Sequence, residues 1–198
     1  MVFSSITFLF FFLPIFLILF HVFGSKLQFT FLLLSSLLFY FWGENFLVWI
    51  LLTSTSIDFF IGLIIDREKK KNKAGPGFNF LKHSRKEKIA LLISILSNLA
   101  FLGYFKYFNF FITNFNHLCL ELGLNNLISA QTAAIALPLG ISFYTFQSMS
   151  YTIDVYRGKV TATRNFIKFA AYVTMFPQLV AGPIVRYSDI AKQISVSS

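Results

Sequence analysis

Long runs of apolar side chains alternate with short polar stretches along most of this chain. A helix needs about 20 predominantly apolar residues to cross the hydrocarbon core of a bilayer. Six runs approach or reach that length, at residues 6–23, 27–42, 46–65, 89–112, 131–153 and 166–183. The pattern therefore predicts an all-α fold, a polytopic bundle of transmembrane helices in one membrane-embedded domain.

Prolines and glycines mark where these segments bend or stop. Pro14 is expected to kink the first segment, and Gly43-Glu44-Asn45 to form a tight turn after the second. Pro138 marks either the true start of the fifth segment or a kink within it. Because Pro177 and the pair Gly182-Pro183 interrupt the sixth segment, a re-entrant geometry is one expectation for it.

Positive charge is concentrated between the third and fourth segments. Residues 66–88 hold nine of the 17 Lys and Arg residues. Because cytoplasmic loops of membrane proteins carry an excess of Lys and Arg, this loop is predicted to be cytoplasmic. Alternation of the segments then places the N-terminus outside and the basic residues after the fifth segment inside, with the protein in the inner (plasma) membrane.

The composition argues against a soluble domain and against a nucleic-acid-binding protein. Of 198 residues, 56% are hydrophobic and the mean hydropathy is +0.69, more apolar surface than a soluble domain of this length can bury. A net charge of +9 would suggest nucleic acid in a soluble protein, but the charges are clustered and the apolar runs long, so no nucleic-acid partner is expected. The single cysteine, Cys119, allows no internal disulfide, and no metal-ligand spacing is present.

The fifth segment and the stretch after it carry the densest polar pattern. Residues with small side chains share one helical face at i, i+3, i+4 steps: Ser142, Thr145, Thr152 and either Ser148 or Met149. Such a face favours close helix packing or lines a polar tunnel, and the residues leave both interpretations open. For a tunnel, the candidate substrate-lining residues are Ser142, Tyr144, Thr145, Gln147, Ser148, Asp154, Arg157, Gln178 and Arg186. Alternatively, Asp154 and Arg157 pair with each other at i, i+3.

Five further residues are candidates by type or position. Histidine is the usual general base for transfer to a hydroxyl, but His21 is expected to be a helix-end anchor, and His83 and His117 solvated loop residues. Asp58, inside the third segment, is a functional candidate by its depth. We expect it instead to meet the loop cations or to pair with Ser and Thr groups on a neighbouring helix. Lys106 is expected to reach the membrane interface.

Ordered motifs recur over nearly the whole chain. They are MVFSSITFLFFFLPI at 1–15, LGYFKYFNF at 102–110, LPLGISFY at 137–144, IDVYRG at 153–158 and FPQLVAGPIVR at 176–186. Five such motifs in this order resemble the membrane-bound O-acyltransferases, in particular their AlgI-like branch of the alginate O-acetyltransferase type.

The resemblance implies an enzyme that transfers an acyl group, commonly acetyl, to hydroxyls of an extracytoplasmic polysaccharide. Its helices would form part of a funnel where a cytoplasmic acyl donor, acetyl-CoA or an acyl carrier, meets an extracytoplasmic glycan or partner protein, with no bound cofactor. The family's catalytic histidine belongs to a later helix, and none of the three histidines here matches it. The chain resembles the N-terminal portion of such an enzyme, and we expect it to be inactive and poorly stable without the C-terminal half.

Two other classes stay open from the residues. A non-catalytic scaffold or assembly subunit would complete a tunnel with another chain, and a small transporter would use the polar face of residues 138–154. Acetyl transfer to a glycan would distinguish the enzyme from the scaffold, whereas solute or proton flux would favour the transporter.

Overall fold

The computed structural model describes residues 5–22, 24–73, 83–123, 137–182 and 185–196 of the chain. Three expectations fall outside these residues: the middle of the basic loop at 74–82, the start of the fifth segment at 131, and Pro183. Within the described ranges the elements are helices and no strand occurs, which confirms the all-α fold.

Nine α-helices lie in these ranges. They are α1 (Leu13–Val22), α2 (Ser25–Glu44), α3 (Val48–Lys73), α4 (Arg85–Leu102), α5 (Phe108–Glu121), α6 (Ile141–Arg157), α7 (Phe166–Thr174), α8 (Phe176–Ala181) and α9 (Tyr187–Val196). A π-helical turn, Phe8–Phe12, leads into α1, and another, Gly103–Tyr107, joins α4 to α5. Asn45, at φ 48°, turns the chain between α2 and α3.

α3 continues beyond the third apolar segment into the sequence expected to form the loop 66–88. Lys, Arg and Glu have high helix propensity, and Lys70 donates a hydrogen bond to Asp66, one turn earlier, at 2.5 Å. α4 likewise begins at Arg85, inside the same polar stretch. The loop is therefore shorter than its polarity indicated, and its two arms are helix ends.

α6 begins at Ile141, so Pro138 precedes this helix and does not kink it. Gly158, at φ 76°, ends the helix in the left-handed conformation that glycine adopts without steric cost. Lys69 Nζ of α3 donates to Val155 O of α6 at 2.8 Å. A cation therefore satisfies a carbonyl at the negative end of the helix dipole and ties α6 to α3.

The sixth apolar segment forms two short helices instead of one. Met175, at φ −52° and ψ 109°, separates α7 from α8, and Pro177 lies in the first turn of α8. The carbonyl of Tyr172, left without a helical donor by this break, accepts a hydrogen bond from Gln147 Nε2 at 2.7 Å. Beyond α8 the chain turns back, because the Tyr172 hydroxyl donates to Val185 O at 2.7 Å and α9 packs against α6.

The centre of the bundle is the contact between α3 and α6, with α4 packed against both and α2 against α7. Gly62 of α3 lies under the ring of Tyr151 of α6, and a Cβ there would lie 2.6 Å from Cε1 of that ring. The two helices therefore approach closely at a position that only glycine accommodates.

An aromatic cluster joins the N-terminal helical region to α2 and α8. Its members are Phe8, Phe12, Phe16, Phe39 and Phe176. The ring of Phe176 lies 5.1 Å from that of Phe16 and 5.9 Å from that of Phe8, both edge-on, the geometry that aromatic pairs favour.

Two helical stretches, Leu27–Asn72 and Arg85–Glu121, are long and apolar enough to cross a membrane. Large side chains on their outward faces are exposed, among them Phe60, Leu92 and Leu96. Continuous exposed apolar surface of this kind suits lipid as the surrounding solvent.

Candidate functional site

Six polar side chains meet in the interior between three helices, and each is at most 3% exposed. This polar cluster consists of Ser54 and Asp58 from α3, Ser94 and Asn98 from α4, and Ser148 and Thr152 from α6. Each helix contributes two residues at i, i+4, so each pair lies on one face. The polar cluster is therefore encoded by three matched pairs within apolar segments.

Asp58 is the ionisable member and is fully buried. Its Oδ1 accepts a hydrogen bond from Ser94 Oγ at 2.6 Å, and its Oδ2 accepts one from Asn98 Nδ2 at 2.7 Å. A carboxyl group removed from water is costly unless its oxygens are hydrogen-bonded. Here α4 supplies a donor to each oxygen, so the carboxyl group depends on α4 for its place in the interior.

The polar cluster has two layers, each with one residue from each helix. Asp58, Ser94 and Thr152 form one layer, in which the hydroxyl oxygens of Ser94 and Thr152 lie 2.9 Å apart. In the other, Ser54 Oγ and Ser148 Oγ donate to Asn98 Oδ1 at 3.2 and 3.4 Å. Four residues of helix rise separate the layers by about 6 Å.

The layers also fix the directions of the helices. From one layer to the other, the residue number increases along α3 and α6 and decreases along α4. α6 therefore runs parallel to α3, and α4 runs antiparallel to both.

A second buried contact links α6 to α8. Gln147 is 1% exposed, and its Nε2 donates to Tyr172 O at 2.7 Å and to Gln178 Oε1 at 3.3 Å. The hydroxyls of Tyr144 and Thr145 are also buried, and neither has a hydrogen-bond partner within the described residues. Gln147 and Gln178 thus come together, as the tunnel interpretation requires, but they bond to each other and to the backbone.

The remaining candidate residues occupy different environments. Ser142 is half-buried, whereas Arg157 and Arg186 are exposed. Asp154 is 4% exposed, and its Oδ2 has no hydrogen-bond partner among the described residues. The expected ion pair between Asp154 and Arg157 is wrong, because the carboxylate is buried while the guanidinium lies at the surface beside the end of α6.

Sequence reasoning selected Asp58 and Ser148 but not the residues of α4 that join them. Of the two arrangements expected for Asp58, the structure confirms pairing with a neighbouring helix, through Ser94 and also Asn98. The missed signal is the repeated i, i+4 spacing of Ser54 with Asp58 and of Ser94 with Asn98. Each pair interrupts an otherwise apolar helix face.

None of the three histidines reaches the polar cluster. His21 and His117 are exposed, and His21 Nδ1 lies 2.8 Å from Leu17 O in its own helix. His83 is not solvated as expected: its Nδ1 lies 3.1 Å from Glu87 Oε2, and its ring stacks on Tyr156 at 4.0 Å. The structured start of α4, absent from the sequence expectation, accounts for the difference.

The geometry of the polar cluster is better suited to holding the three helices in place than to transferring a proton. Both oxygens of Asp58 already accept hydrogen bonds, and a general base needs a free acceptor within reach of the reacting hydroxyl. Among the described residues, no group of three His, Cys, Asp or Glu side chains could hold a metal ion.

The chain matches curated proteins over nearly its whole length. It is 40% identical over 195 residues to the probable alginate O-acetylase AlgI of Pseudomonas syringae pv. tomato, and 38% identical over 195 residues to that of Pseudomonas aeruginosa. Each match covers 98% of this chain and 35% of the relative. A peptidoglycan O-acetyltransferase of Helicobacter pylori is 31% identical, over 54% of this chain and 24% of that protein. No protein-family model matches the chain, and no solved structure matches it.

The matched relatives are probable alginate O-acetylases and a peptidoglycan O-acetyltransferase. The chain is therefore similar to AlgI-type O-acetylases over nearly its whole length, as its five motifs indicated, and two of its helical stretches are long and apolar enough to cross a membrane. It spans about a third of their length, 35% of the first two.

Proposed function

We propose that this chain forms part of a membrane-bound O-acyltransferase that transfers an acyl group, acetyl in the first instance, to hydroxyls of an extracytoplasmic polysaccharide. The observation that carries the proposal is the match to alginate O-acetylases over 98% of this chain. The similar peptidoglycan O-acetyltransferase supports a polysaccharide acceptor more broadly than alginate. The proposal includes an acyl donor as co-substrate, acetyl-CoA or an acyl carrier, and a glycan or acyl-accepting protein as partner.

Within that enzyme, we assign the polar cluster the role of holding α6 in register. α6 carries two of the five motifs and packs against α3, α4, α7, α8 and α9. Ser148 belongs to the polar cluster, and the faces of α6 that point away from α3 and α4 then present other substrate-lining candidates, of which Tyr144 and Gln147 carry groups that donate hydrogen bonds. The proposal takes the general base of the transfer from another part of the whole enzyme, because none of the three histidines of this chain matches the catalytic histidine that the family resemblance implies.

The proposed topology has six membrane segments, with residues 66–88 cytoplasmic and the N-terminus outside. Its support is the direction of the helices: α3 and α6 run parallel and α4 runs antiparallel, as alternating segments require. The reversal of the chain after α8 supports a re-entrant sixth segment, with α9 returning to the cytoplasmic side.

A chimaera tests the proposed function. The 195 matched residues of the Pseudomonas syringae AlgI protein would be replaced by this chain, and the chimaera expressed in an alginate-producing strain that lacks its own acetylase. We expect O-acetyl groups to return to the secreted polymer, as measured by proton NMR. The control expresses this chain without the remainder of the relative and is expected to leave the polymer unacetylated.

Two outcomes would contradict the proposal. One is a chimaera that accumulates in the membrane at the parental level while the polymer stays unacetylated. The other is equal acetylation in cells that express neither protein, which would remove the chain from the reaction.

A further inference from the structure

One end of the bundle carries many exposed Lys and Arg side chains. Three contacts bring the relevant helix ends together: Asn72 Nδ2 of α3 donates to Glu87 Oε1 of α4 at 2.8 Å, and Lys69 Nζ donates to Val155 O of α6 at 2.8 Å. The ring of His83, just before α4, stacks on that of Tyr156 at 4.0 Å. Cations that are far apart in sequence therefore share one end of the fold.

Six of the exposed cations at this end form a basic rim, and none of the six makes an ion pair within the described residues. This basic rim consists of Arg67 and Lys71 at the end of α3, Arg85, Lys86 and Lys88 at the start of α4, and Lys159 just after α6. Five of them lie in the terminal turns of α3 and α4, and Lys159 lies two residues after α6 ends. Their charge is available to a partner because they are exposed and unpaired.

Most of the carboxyl groups at this end already have hydrogen-bond or ion-pair partners. Glu87 is 2% exposed and bonded to Asn72 and His83, and Asp66 is bonded to Lys70. The exceptions are Glu68, which is half-buried, and Asp154, which is 4% exposed with one oxygen that has no hydrogen-bond partner among the described residues. An anion that approaches this end therefore meets unpaired cations, and few carboxylates oppose it.

The basic rim lies directly beside exposed apolar surface. On α3, Ile64 is 47% exposed one turn before Arg67, and on α4, Ile89 is 47% exposed directly after Lys88. Lys and Arg next to a lipid-facing apolar surface lie at the depth of the headgroups. At the opposite end of these helices, the described residues carry Lys106 together with Glu44 and Glu121, so the positive charge is one-sided.

We propose that the basic rim binds the phosphates of anionic phospholipids in the adjoining leaflet and that these lipids stabilise the joined ends of α3, α4 and α6. Charge complementarity and the adjacent apolar band both favour a lipid over a soluble anion, because a lipid fills both surfaces at once. A basic side chain near an anionic membrane surface contributes about 1 kcal/mol, or about fivefold in affinity. The inference goes beyond the acyltransferase function and holds whether or not that function is correct.

The test compares lipids and positions in the full chain. The protein would be reconstituted in nanodiscs of phosphatidylcholine or of a 7:3 mixture with phosphatidylglycerol, and retained lipid measured by native mass spectrometry and stability by thermal unfolding. We expect preferential retention of phosphatidylglycerol and a higher unfolding midpoint in the mixture. The quadruple variant R67Q/K71Q/K86Q/K88Q should lose both, whereas the matched control K106Q should keep both. Each single rim substitution, such as Lys86→Gln, should weaken retention about fivefold.

Several results would overturn the proposal. They are equal midpoints in the two lipids, an unchanged preference in the quadruple variant, or an equal loss in K106Q. Competition by soluble tripolyphosphate at matched phosphate concentration would assign the surface to a free anion. If the quadruple variant fails to fold in phosphatidylcholine, the unaltered protein still decides the matter. Its preference should disappear in 0.5 M salt, where the screening length falls to about 4 Å, and persistence there would refute the electrostatic origin.

Discussion

Ser94→Ala tests the polar cluster most directly. The Ser94 hydroxyl connects all three helices, because it donates to Asp58 of α3 at 2.6 Å and lies 2.9 Å from the hydroxyl of Thr152 on α6. Its removal leaves Oδ1 of a fully buried carboxyl group without the donor from α4. Thr152 keeps its hydrogen bond to Met149 O.

The expected cost follows from these contacts. Interhelical hydrogen bonds in membranes contribute about 0.6 kcal/mol on average and at most about 1.7 as net pairwise energies. A buried acceptor left without its donor costs about 1–3 kcal/mol, and Ser94→Ala leaves Oδ1 of Asp58 in that state. We therefore expect Ser94→Ala to lower the free energy of unfolding by about 2 kcal/mol. Ser97→Ala is the matched control, because Ser97 is half-buried on the same helix and its hydroxyl donates only to Ser94 O at 3.0 Å. That carbonyl keeps the donor Asn98 Nδ2, so the control should change stability by less than about 0.5 kcal/mol.

Reversible unfolding in mixed micelles, followed by far-ultraviolet circular dichroism as the denaturing detergent is increased, measures both variants. A difference near 2 kcal/mol between Ser94→Ala and Ser97→Ala supports the polar cluster as an interhelical lock. Equal effects, or a Ser94→Ala protein within 0.5 kcal/mol of the unaltered chain, would refute the reasoning about the buried carboxyl group.

Two packing predictions use the same assay. Gly62→Ala should cost about 1–3 kcal/mol, because the new Cβ would overlap the ring of Tyr151, whereas Gly103→Ala meets nothing within 4 Å and should be neutral. Phe176→Ala should cost about 3–5 kcal/mol through loss of the aromatic cluster, and Phe110→Ala, 62% exposed, should cost far less. Equal costs within either pair would contradict the assigned packing.

The helical nature of the chain follows from the apolar runs, but the helix ends do not. Hydropathy places the change from apolar to polar at residue 66, whereas α3 ends at Lys73, because charged residues with high helix propensity extend a helix out of an apolar environment. The opposite difference occurs at residues 166–183, where hydropathy indicates one apolar segment but the structure has two helices, α7 and α8. Hydropathy sums side chains and is insensitive to the backbone conformation of Met175.

The polar positions of α6 were readable from the sequence, but their partners were not. Periodicity assigns Thr145, Ser148 and Thr152 to a common face, and all three are buried. Which helix that face meets depends on tertiary packing. Asn98 was missed because a single i, i+4 pair, here Ser94 with Asn98, is a weak signal within an apolar run.

The two-layer arrangement specifies the register of α4. If α4 moved by one turn in one direction, Ala90 would replace Ser94 beside Asp58 and remove the donor to Oδ1 of the carboxyl group. If it moved one turn in the other direction, Leu102 would replace Asn98 beside the hydroxyls of Ser54 and Ser148. Lipid offers those groups no alternative partner, so either shift costs the hydrogen bonds of a whole layer while the apolar contacts between helices change little. Apolar packing therefore holds the three helices together, and the polar cluster selects the one register in which α6 is correctly placed.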